Sequence, residues 1–115
     1  MAHVITRLCR DCVDTACVSV CPVDCIVEHR APSGERSLPN QLFIDPSECI
    51  DCRLCQPECP WEAIFADDDV PEAFHDDIAD NARSAERERG YHVPVQRLSR
   101  RPAPHEVESN RLRWL

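Results

Sequence analysis

Nine cysteines lie between residues 9 and 59 of this 115-residue chain, and a segment so rich in thiols either forms disulfides or binds metal. The count is odd, and the first residues carry no secretory signal pattern. No segment approaches the roughly 18 apolar residues that a membrane-spanning helix needs. We therefore expect a cytoplasmic protein whose cysteines ligate a metal as thiolates.

The second half of this segment contains a four-cysteine run that ends in proline. It reads Cys49-Ile-Asp-Cys52-Arg-Leu-Cys55-Gln-Pro-Glu-Cys59-Pro60, a C-x2-C-x2-C-x3-C-P pattern that is typical of bacterial iron–sulfur sites. Three cysteines spaced by two residues can wrap one face of a cubane cluster. The fourth, beside a proline, faces away and ligates another cluster. The run therefore predicts a duplicate of itself.

The duplicate is Cys9-Arg-Asp-Cys12-Val-Asp-Thr-Ala-Cys17-Val-Ser-Val-Cys21-Pro22, in which four residues instead of two separate Cys12 from Cys17. If the last cysteine of each run crosses to the other cluster, Cys21 completes the site that the second run begins, and Cys59 completes the first. One site then contains Cys9, Cys17 and Cys59, and the other contains Cys21, Cys49, Cys52 and Cys55.

Together with Pro22-Val-Asp-Cys25, Asp45-Pro-Ser-Glu-Cys49 and Asp69-Val-Pro71, these runs make residues 1–89 resemble the seven-iron bacterial ferredoxins. The resemblance implies a one-electron carrier with one 3Fe-4S and one 4Fe-4S cluster. It gives the three-iron cluster to Cys9, Cys17 and Cys59, and the four-iron cluster to Cys21, Cys49, Cys52 and Cys55. Some family members carry an aspartate that relays a proton directly before the second ligand of the three-iron cluster. This chain has Ala16 there, and its nearest acid is Asp14.

Two cysteines remain outside these ligand sets. Cys25 aligns with Ala63 of the second copy, so we expect a small buried apolar residue there. Cys12 is left open between a free thiol and a fourth ligand, which would make both clusters 4Fe-4S. Zinc is the rival metal, because paired C-x2-C units also build four-thiolate sites, but it does not explain two runs that each end in Cys-Pro. The five histidines lack ligand spacing, and we expect them at the surface.

The duplication also predicts the fold. Cys21-Pro-Val-Asp-Cys-Ile-Val27 aligns with Cys59-Pro-Trp-Glu-Ala-Ile-Phe65 at a separation of 38 residues. Short β-like stretches precede the two runs, at Val4–Thr6 and at Leu42–Ile44. Strand, cysteine loop with a helical turn, and strand, repeated once, give an α+β, ferredoxin-like unit with pseudo-twofold symmetry. Residues 30–40 between the halves contain Pro, Gly and Ser and are expected to form an exposed loop.

We divide the chain into a two-cluster core at residues 1–66 and a C-terminal extension at residues 67–115. Within the extension, Pro71, the acidic residues around it and Gly90 predict a helix over residues 71–89. Its apolar stripe comprises Phe74, Ile78, Ala82 and Ala85. A Pro- and Arg-rich tail without clear periodicity follows.

Charge is unevenly distributed along the chain. Residues 1–80 contain 5 Arg and 17 Asp or Glu, a net charge of −12, whereas residues 81–115 contain 8 Arg and 4 Glu, a net charge of +4. The acidic core disfavours a nucleic-acid partner. It favours basic docking surfaces on redox proteins, such as a ferredoxin reductase and an acceptor oxidoreductase.

The sequence contains no glycine-rich nucleotide loop and no Ser-His-Asp arrangement, so we expect an electron-transfer protein and not an enzyme. The default expectation is a monomeric carrier that shuttles between partners. One alternative is an electron-transfer subunit of a larger oxidoreductase, docked through the Arg-rich tail. Another is an iron–sulfur redox sensor.

Overall fold

The computed structural model describes residues 2–30, 40–86, 89–95 and 101–114. The loop predicted between the two halves therefore lies almost entirely outside the described residues. The strands are β1 (His3–Ile5), β2 (Ile26–His29), β3 (Leu42–Ile44), β4 (Ile64–Ala66) and β5 (Tyr91–His92). The α-helices are α1 (Ala16–Val20), α2 (Asp76–Ala82) and α3 (Pro104–Trp114), and short 3-10 helices span Arg7–Cys9, Gln56–Glu58, Glu72–Phe74 and Arg83–Ala85.

The strand pairing confirms the predicted α+β duplication. β1 runs antiparallel to β4, with Ile5 opposite Ile64, and β2 runs antiparallel to β3, with Ile26 opposite Ile44. Each pair joins the strand that precedes one cysteine run to the strand that follows the other run. Exchanging the two halves of the chain therefore converts one strand pair into the other. This interleaving brings the two runs together at the centre of the fold.

Equivalent turns lead from the strands into the two runs. The Thr6 amide donates to the Ala63 carbonyl at 2.9 Å, and the Asp45 amide donates to the Cys25 carbonyl at 2.8 Å. The Thr6 hydroxyl then accepts from the Leu8 amide at 3.4 Å, and an Asp45 carboxylate oxygen accepts from the Ser47 amide at 2.9 Å. Because Thr6 caps this turn, β1 ends at Ile5, one residue earlier than predicted.

The helix predicted over residues 71–89 is interrupted. A 3-10 turn over Glu72–Phe74 precedes α2, another over Arg83–Ala85 follows it, and Glu86 has a non-helical backbone. Residues 87 and 88 lie outside the described residues. The Ser84 hydroxyl donates to the Asn81 carbonyl at 2.6 Å. A side chain that bonds the main chain in this way competes with the regular helix ladder.

The buried face of this segment is more polar than the predicted apolar stripe. Phe74 is buried and Ile78 is half-buried, but Ala82 and Ala85 are exposed, so that part of the stripe prediction was wrong. Asp77, Asn81 and Ser84 are buried instead. Asp77 accepts from the Arg7 amide at 2.8 Å and pairs with the Arg7 guanidinium at 3.2 Å. Helix α2 therefore binds the core through hydrogen bonds as well as apolar packing.

Asn81 lies between the two halves of the fold. Its Oδ1 atom accepts from the Ile5 amide at 3.0 Å and from the Ile44 amide at 2.8 Å, and its Nδ2 atom donates to the Ile5 carbonyl at 2.8 Å. Ile5 and Ile44 are equivalent residues of the duplicated unit. A single side-chain amide thus joins β1 to β3.

The tail after residue 89 contains structure that the sequence did not predict. Gly90 has a φ of +103°, and a Cβ atom there would lie 2.2 Å from the Arg30 carbonyl oxygen, so this turn requires glycine. The turn leads into β5, which pairs with β2. Helix α3 follows and packs against the 3-10 turn at Arg7–Cys9. Its contact side carries buried Asn110 and half-buried Trp114.

Candidate iron–sulfur sites

Two pockets contain all nine cysteines, and each pocket combines cysteines of both runs. We name the first of them the Cys49 pocket. Its cysteine lining consists of Cys21, Cys25, Cys49, Cys52 and Cys55. The structure thus brings Cys21 of the first run beside three cysteines of the second run, as the crossed arrangement requires.

The other pocket, named the Cys9 pocket, contains the remaining cysteines. They are Cys9, Cys12, Cys17 and Cys59, accompanied by Ile5, Asp14, Trp61 and Ile64. Here Cys59 of the second run lies with three cysteines of the first. In the described part of the chain, no three His, Cys, Asp or Glu side chains converge as they would around a single ion. The sulfurs are instead arranged along the walls of two separate pockets.

Left-handed backbone residues shape the loops around both pockets. Asp11 and Asp51, two residues after the first cysteine of each run, have φ values of 62° and 57°. Asp24 and Glu62, three residues after the last cysteine of each run, have φ values of 51° and 52°. Aspartate tolerates this conformation better than most residues, whereas glutamate seldom adopts it. The repetition at equivalent positions shows that both halves use the same turns around their cysteines.

These turns direct main-chain N–H groups at sulfur atoms. The Asp51 amide donates to Cys49 Sγ at 3.4 Å, and the Ala63 amide donates to Cys59 Sγ at 3.4 Å. The Leu42 amide lies 3.5 Å from Cys9 Sγ. Hydrogen bonds to ligand sulfur stabilise the thiolate and help to set the reduction potential of a cluster.

Burial strongly disfavours ionisation of several thiols. Burial and, to a smaller extent, the charge of the neighbouring Cys49 together raise the pKa of Cys55 to about 12. Burial, followed by the charges of Cys9 and Cys59, raises the pKa of Cys17. A group of closely packed thiols loses its protons when a cation is there to stabilise the thiolates. The soft sulfur donors, their burial and their N–H partners all fit iron–sulfur ligation.

Cys25 is buried, as predicted from its alignment with Ala63. Its Sγ atom lies 3.5 Å from Cys21 Sγ, and only 3% of the residue is exposed. Burial, together with the hydrogen bond between Cys25 and Cys21, raises the pKa of this thiol. Cys25 therefore lines the Cys49 pocket as a buried thiol and resembles a small apolar residue in its packing.

Cys12 occupies a different environment from the other cysteines of the Cys9 pocket. It is half-buried, and its Sγ atom lies 3.9 Å from Asn110 Oδ1 on helix α3. Burial raises the pKa of Cys12, and the nearby Arg113 opposes that effect. The Nδ2 atom of the Asn110 side chain also donates to the Leu8 carbonyl at 2.8 Å. The thiol thus has a protein partner on the extension.

His3 was wrongly expected at the surface. Its exposure is only 1%, it lines the Cys49 pocket, and its Nδ1 atom lies 2.7 Å from Asp51 Oδ1, outside hydrogen-bond geometry. The other histidines are at least partly exposed. The one signal for this burial is its place directly before Val4 and Ile5, in a strand whose residues are all buried.

Helix α3 covers the loop that carries Cys9 and Cys12. The Arg10 guanidinium lies 5.2 Å from the centre of the Trp114 ring, and the Arg113 guanidinium lies 4.6 Å from the same ring centre. Arg113 also approaches Asp11 at 3.7 Å, and Arg111 pairs with Glu62 at 3.1 Å. Two arginines of the basic tail are therefore engaged with acids of the chain's own core.

Replacing Trp114 with alanine should expose the Cys9 pocket to oxygen. The cation–π contact between Arg10 and Trp114, of about 0.5–1 kcal/mol, stabilises the closed position of α3, so its loss should raise the open population about two- to fivefold. Bleaching of cluster absorbance in air measures this change. Leu112→Ala is the matched control, because Leu112 on the same helix is 63% exposed. Equal bleaching rates for the two variants would contradict the prediction.

Comparisons with known proteins extend these observations. Residues 8–63 match the 4Fe-4S dicluster domain family. A ferredoxin of Streptomyces griseus is 50% identical over 74 residues, which cover 64% of this chain and 62% of that protein. A ferredoxin of Mycobacterium tuberculosis H37Rv is 44% identical over 82 residues, which cover 71% of this chain and 64% of that protein. The chain thus spans about three fifths of the length of these relatives.

A shorter relative is matched over nearly its whole length. The protein named ferredoxin 7Fe of Hydrogenibacillus schlegelii is 47% identical over 81 residues, which cover 70% of this chain and 92% of that protein. None of the described helices is long and apolar enough to cross a bilayer. On these matches, and with two pockets that each join cysteines of both runs, the chain belongs to the ferredoxins, a family of iron–sulfur electron-transfer proteins.

Proposed function

We propose that this chain carries single electrons between redox proteins through one 3Fe-4S and one 4Fe-4S cluster. The observation that carries the proposal is the mixing of the two cysteine runs in both pockets. Such crossing is what a two-cluster protein needs and what the Cys-Pro endings of the runs predict.

The proposed ligands follow the composition of the pockets. Cys21, Cys49, Cys52 and Cys55 hold the 4Fe-4S cluster in the Cys49 pocket. Cys9, Cys17 and Cys59 hold the 3Fe-4S cluster in the Cys9 pocket. The contact between Cys12 and Asn110 supports leaving Cys12 as a free thiol, since that contact gives its sulfur a partner outside the cluster.

The clusters would supply reversible one-electron chemistry. The chain's own residues would set the charge on the ligand sulfurs and the access of water to the clusters. Main-chain N–H groups at Cys49 and Cys59 stabilise the ligand sulfurs. The apolar residues Ile5 and Ile64 keep water from the Cys9 pocket, and Ile26 and Ile44 keep it from the Cys49 pocket. No acid or base needs to react with a substrate in this scheme, which agrees with a ferredoxin acting as a carrier and not as an enzyme.

The proposed partners are basic surfaces on redox proteins, and the proposed location is the cytoplasm, where thiols stay reduced. The net charge of −12 on residues 1–80 would steer such partners toward the core. The engagement of Arg111 and Arg113 with Glu62 and Asp11 favours a free carrier over a subunit docked by its tail, because these arginines already have partners within the chain.

Replacing Cys12 with alanine should leave the cluster content unchanged. Its thiol, in this account, contacts Asn110 and does not hold iron, so Cys12→Ala should retain about seven irons per chain. Iron and sulfide quantitation on anaerobically purified protein measures the outcome. Cys17→Ala is the control and should lose the three-iron cluster. A loss of iron in Cys12→Ala similar to that in Cys17→Ala would overturn the assignment.

The carrier function can be tested by reconstituting an electron-transfer chain. The wild-type protein, a bacterial ferredoxin reductase with NADPH, and cytochrome c as the final acceptor are mixed anaerobically. We expect cytochrome c reduction that depends on the added chain and slows as salt is raised. A chain that holds clusters but adds nothing to the rate at any salt concentration would argue against the carrier function.

A further inference from the structure

The pseudo-twofold symmetry allows the surroundings of the two cysteine loops to be compared directly. The loop at Cys9–Cys12 is covered by α3, with Arg10 stacked on Trp114. The equivalent loop of the second half, residues 49–55, is named here the Cys49 loop. Ile50 occupies the position equivalent to Arg10 and is 59% exposed. The fold thus covers one loop with its own helix and leaves the equivalent loop bare.

The bare loop presents an apolar surface beside its pocket. Leu54 is 52% exposed, Cys52 is exposed, and Ile50, Cys52 and Arg53 line the Cys49 pocket. Two of the loop's residues, Asp51 and Arg53, have left-handed backbones with φ values of 57° and 66°. Such conformations persist only where surrounding structure imposes them, and they are concentrated at functional sites.

Acidic residues border this apolar surface. Glu48 directly precedes the loop and is exposed. Asp68 and Asp69, both exposed, follow Asp67, which accepts from the Ala2 amide at 3.5 Å. The next residue, His3, contacts Asp51 of the loop. Against the single Arg53 of the loop, these carboxylates give the side of the molecule near the Cys49 loop an excess of negative charge.

We propose that the Cys49 loop is the docking surface through which this protein exchanges electrons with its partner. We name this surface the electron port. Its partner is a redox protein whose contact surface has an apolar centre and a basic rim. That centre packs on Ile50 and Leu54 much as α3 packs on the other loop, and the rim meets Glu48, Asp68 and Asp69. This inference rests on the proposed carrier function. A cluster held in the Cys49 pocket would exchange one electron with the redox centre of the partner, so that one centre is oxidised as the other is reduced and no bond is made or broken.

The role of the apolar residues separates this port from a general attraction between opposite charges. Uniform steering would respond to any change in net charge, whereas a port responds to apolar substitutions that leave the charge unchanged. Truncation of central apolar contacts weakens binding, while truncation of exposed residues elsewhere has little effect. The variants that distinguish the port from charge steering are therefore those that replace an apolar residue with an uncharged polar one.

The test uses the double variant Ile50→Ser/Leu54→Ser, with Leu112→Ser on α3 as the matched control. The probe is a bacterial ferredoxin reductase with NADPH, and reduction by dithionite shows that the clusters of each variant are intact. We expect the KM of the reductase for the double variant to rise at least tenfold, with kcat nearly unchanged. The control should stay within twofold of wild type.

An unchanged KM for the double variant, or an equal rise for Leu112→Ser, would overturn the port. Failure of the carrier function has a different signature. In that case the wild type itself accepts no electrons from the reductase although dithionite reduces its clusters, and the port is overturned with it.

Discussion

Cys59→Ala should remove the three-iron cluster of the Cys9 pocket while leaving the four-iron cluster of the Cys49 pocket in place. The reason is that Cys59 belongs to the second run but lies with Cys9 and Cys17. We expect the iron content to fall to about four per chain. The low-temperature EPR signal of the oxidised protein should disappear, and the signal of the reduced four-iron cluster should remain.

The matched variant removes Cys21, the cysteine that crosses from the first run to the Cys49 pocket. Cys21 belongs to the first run and lies in the Cys49 pocket, and Cys25 Sγ is only 3.5 Å from it. Cys21→Ala is therefore combined with Cys25→Ala, so that no neighbouring thiol can substitute. This double variant should keep the oxidised-state signal and lose the four-iron cluster. If Cys59→Ala instead emptied the site formed by its own run, the crossed arrangement would be wrong.

Asn81→Ala should cause a large loss of stability. It removes the oxygen that accepts from the buried Ile5 and Ile44 amides. Two unsatisfied N–H groups at about 1–3 kcal/mol each predict a total loss of about 2–6 kcal/mol. Unfolding with loss of the clusters is irreversible, so the rate of bleaching in guanidinium is the appropriate measure. We expect that rate to rise more than tenfold.

Arg83→Ala is the control for this prediction, because Arg83 lies just beyond the same helix and is exposed. Its guanidinium pairs with Asp80 at 3.3 Å, and an exposed pair of this kind adds little stability. The control should bleach at nearly the wild-type rate. Similar rates for Asn81→Ala and Arg83→Ala would show that the asparagine does not hold the two halves together.

The duplicated core was predictable because its features are local in the sequence. Cysteine spacing, the Cys-Pro endings and short apolar stretches such as Leu42–Ile44 each follow from a few neighbouring residues. The crossing of Cys21 and Cys59 was also within reach, because one four-cysteine run already implies another. Ligation of iron by these residues remains a prediction that the variants above can test.

The polar connections were not predictable, since they join distant parts of the chain. The bonds from Asn81 to Ile5 and from Asn110 to Leu8 span 76 and 102 residues. Neither asparagine belongs to an apolar pattern. Helix α3 was missed for the same reason, because its contact side depends on Asn110 and Trp114 and not on a periodic apolar stripe. His3 was missed because its one signal, the position directly before Val4 and Ile5, does not show that a polar side chain there is buried as well.

The most direct test of the account is quantitation of iron and sulfide together with low-temperature EPR of the oxidised and reduced protein. We predict about seven irons per chain, an EPR signal already present in the oxidised state, and a second signal on reduction. About eight irons with no signal until reduction would contradict the mixed pair and give Cys12 a ligand role. Colourless protein containing zinc alone would contradict iron–sulfur ligation altogether.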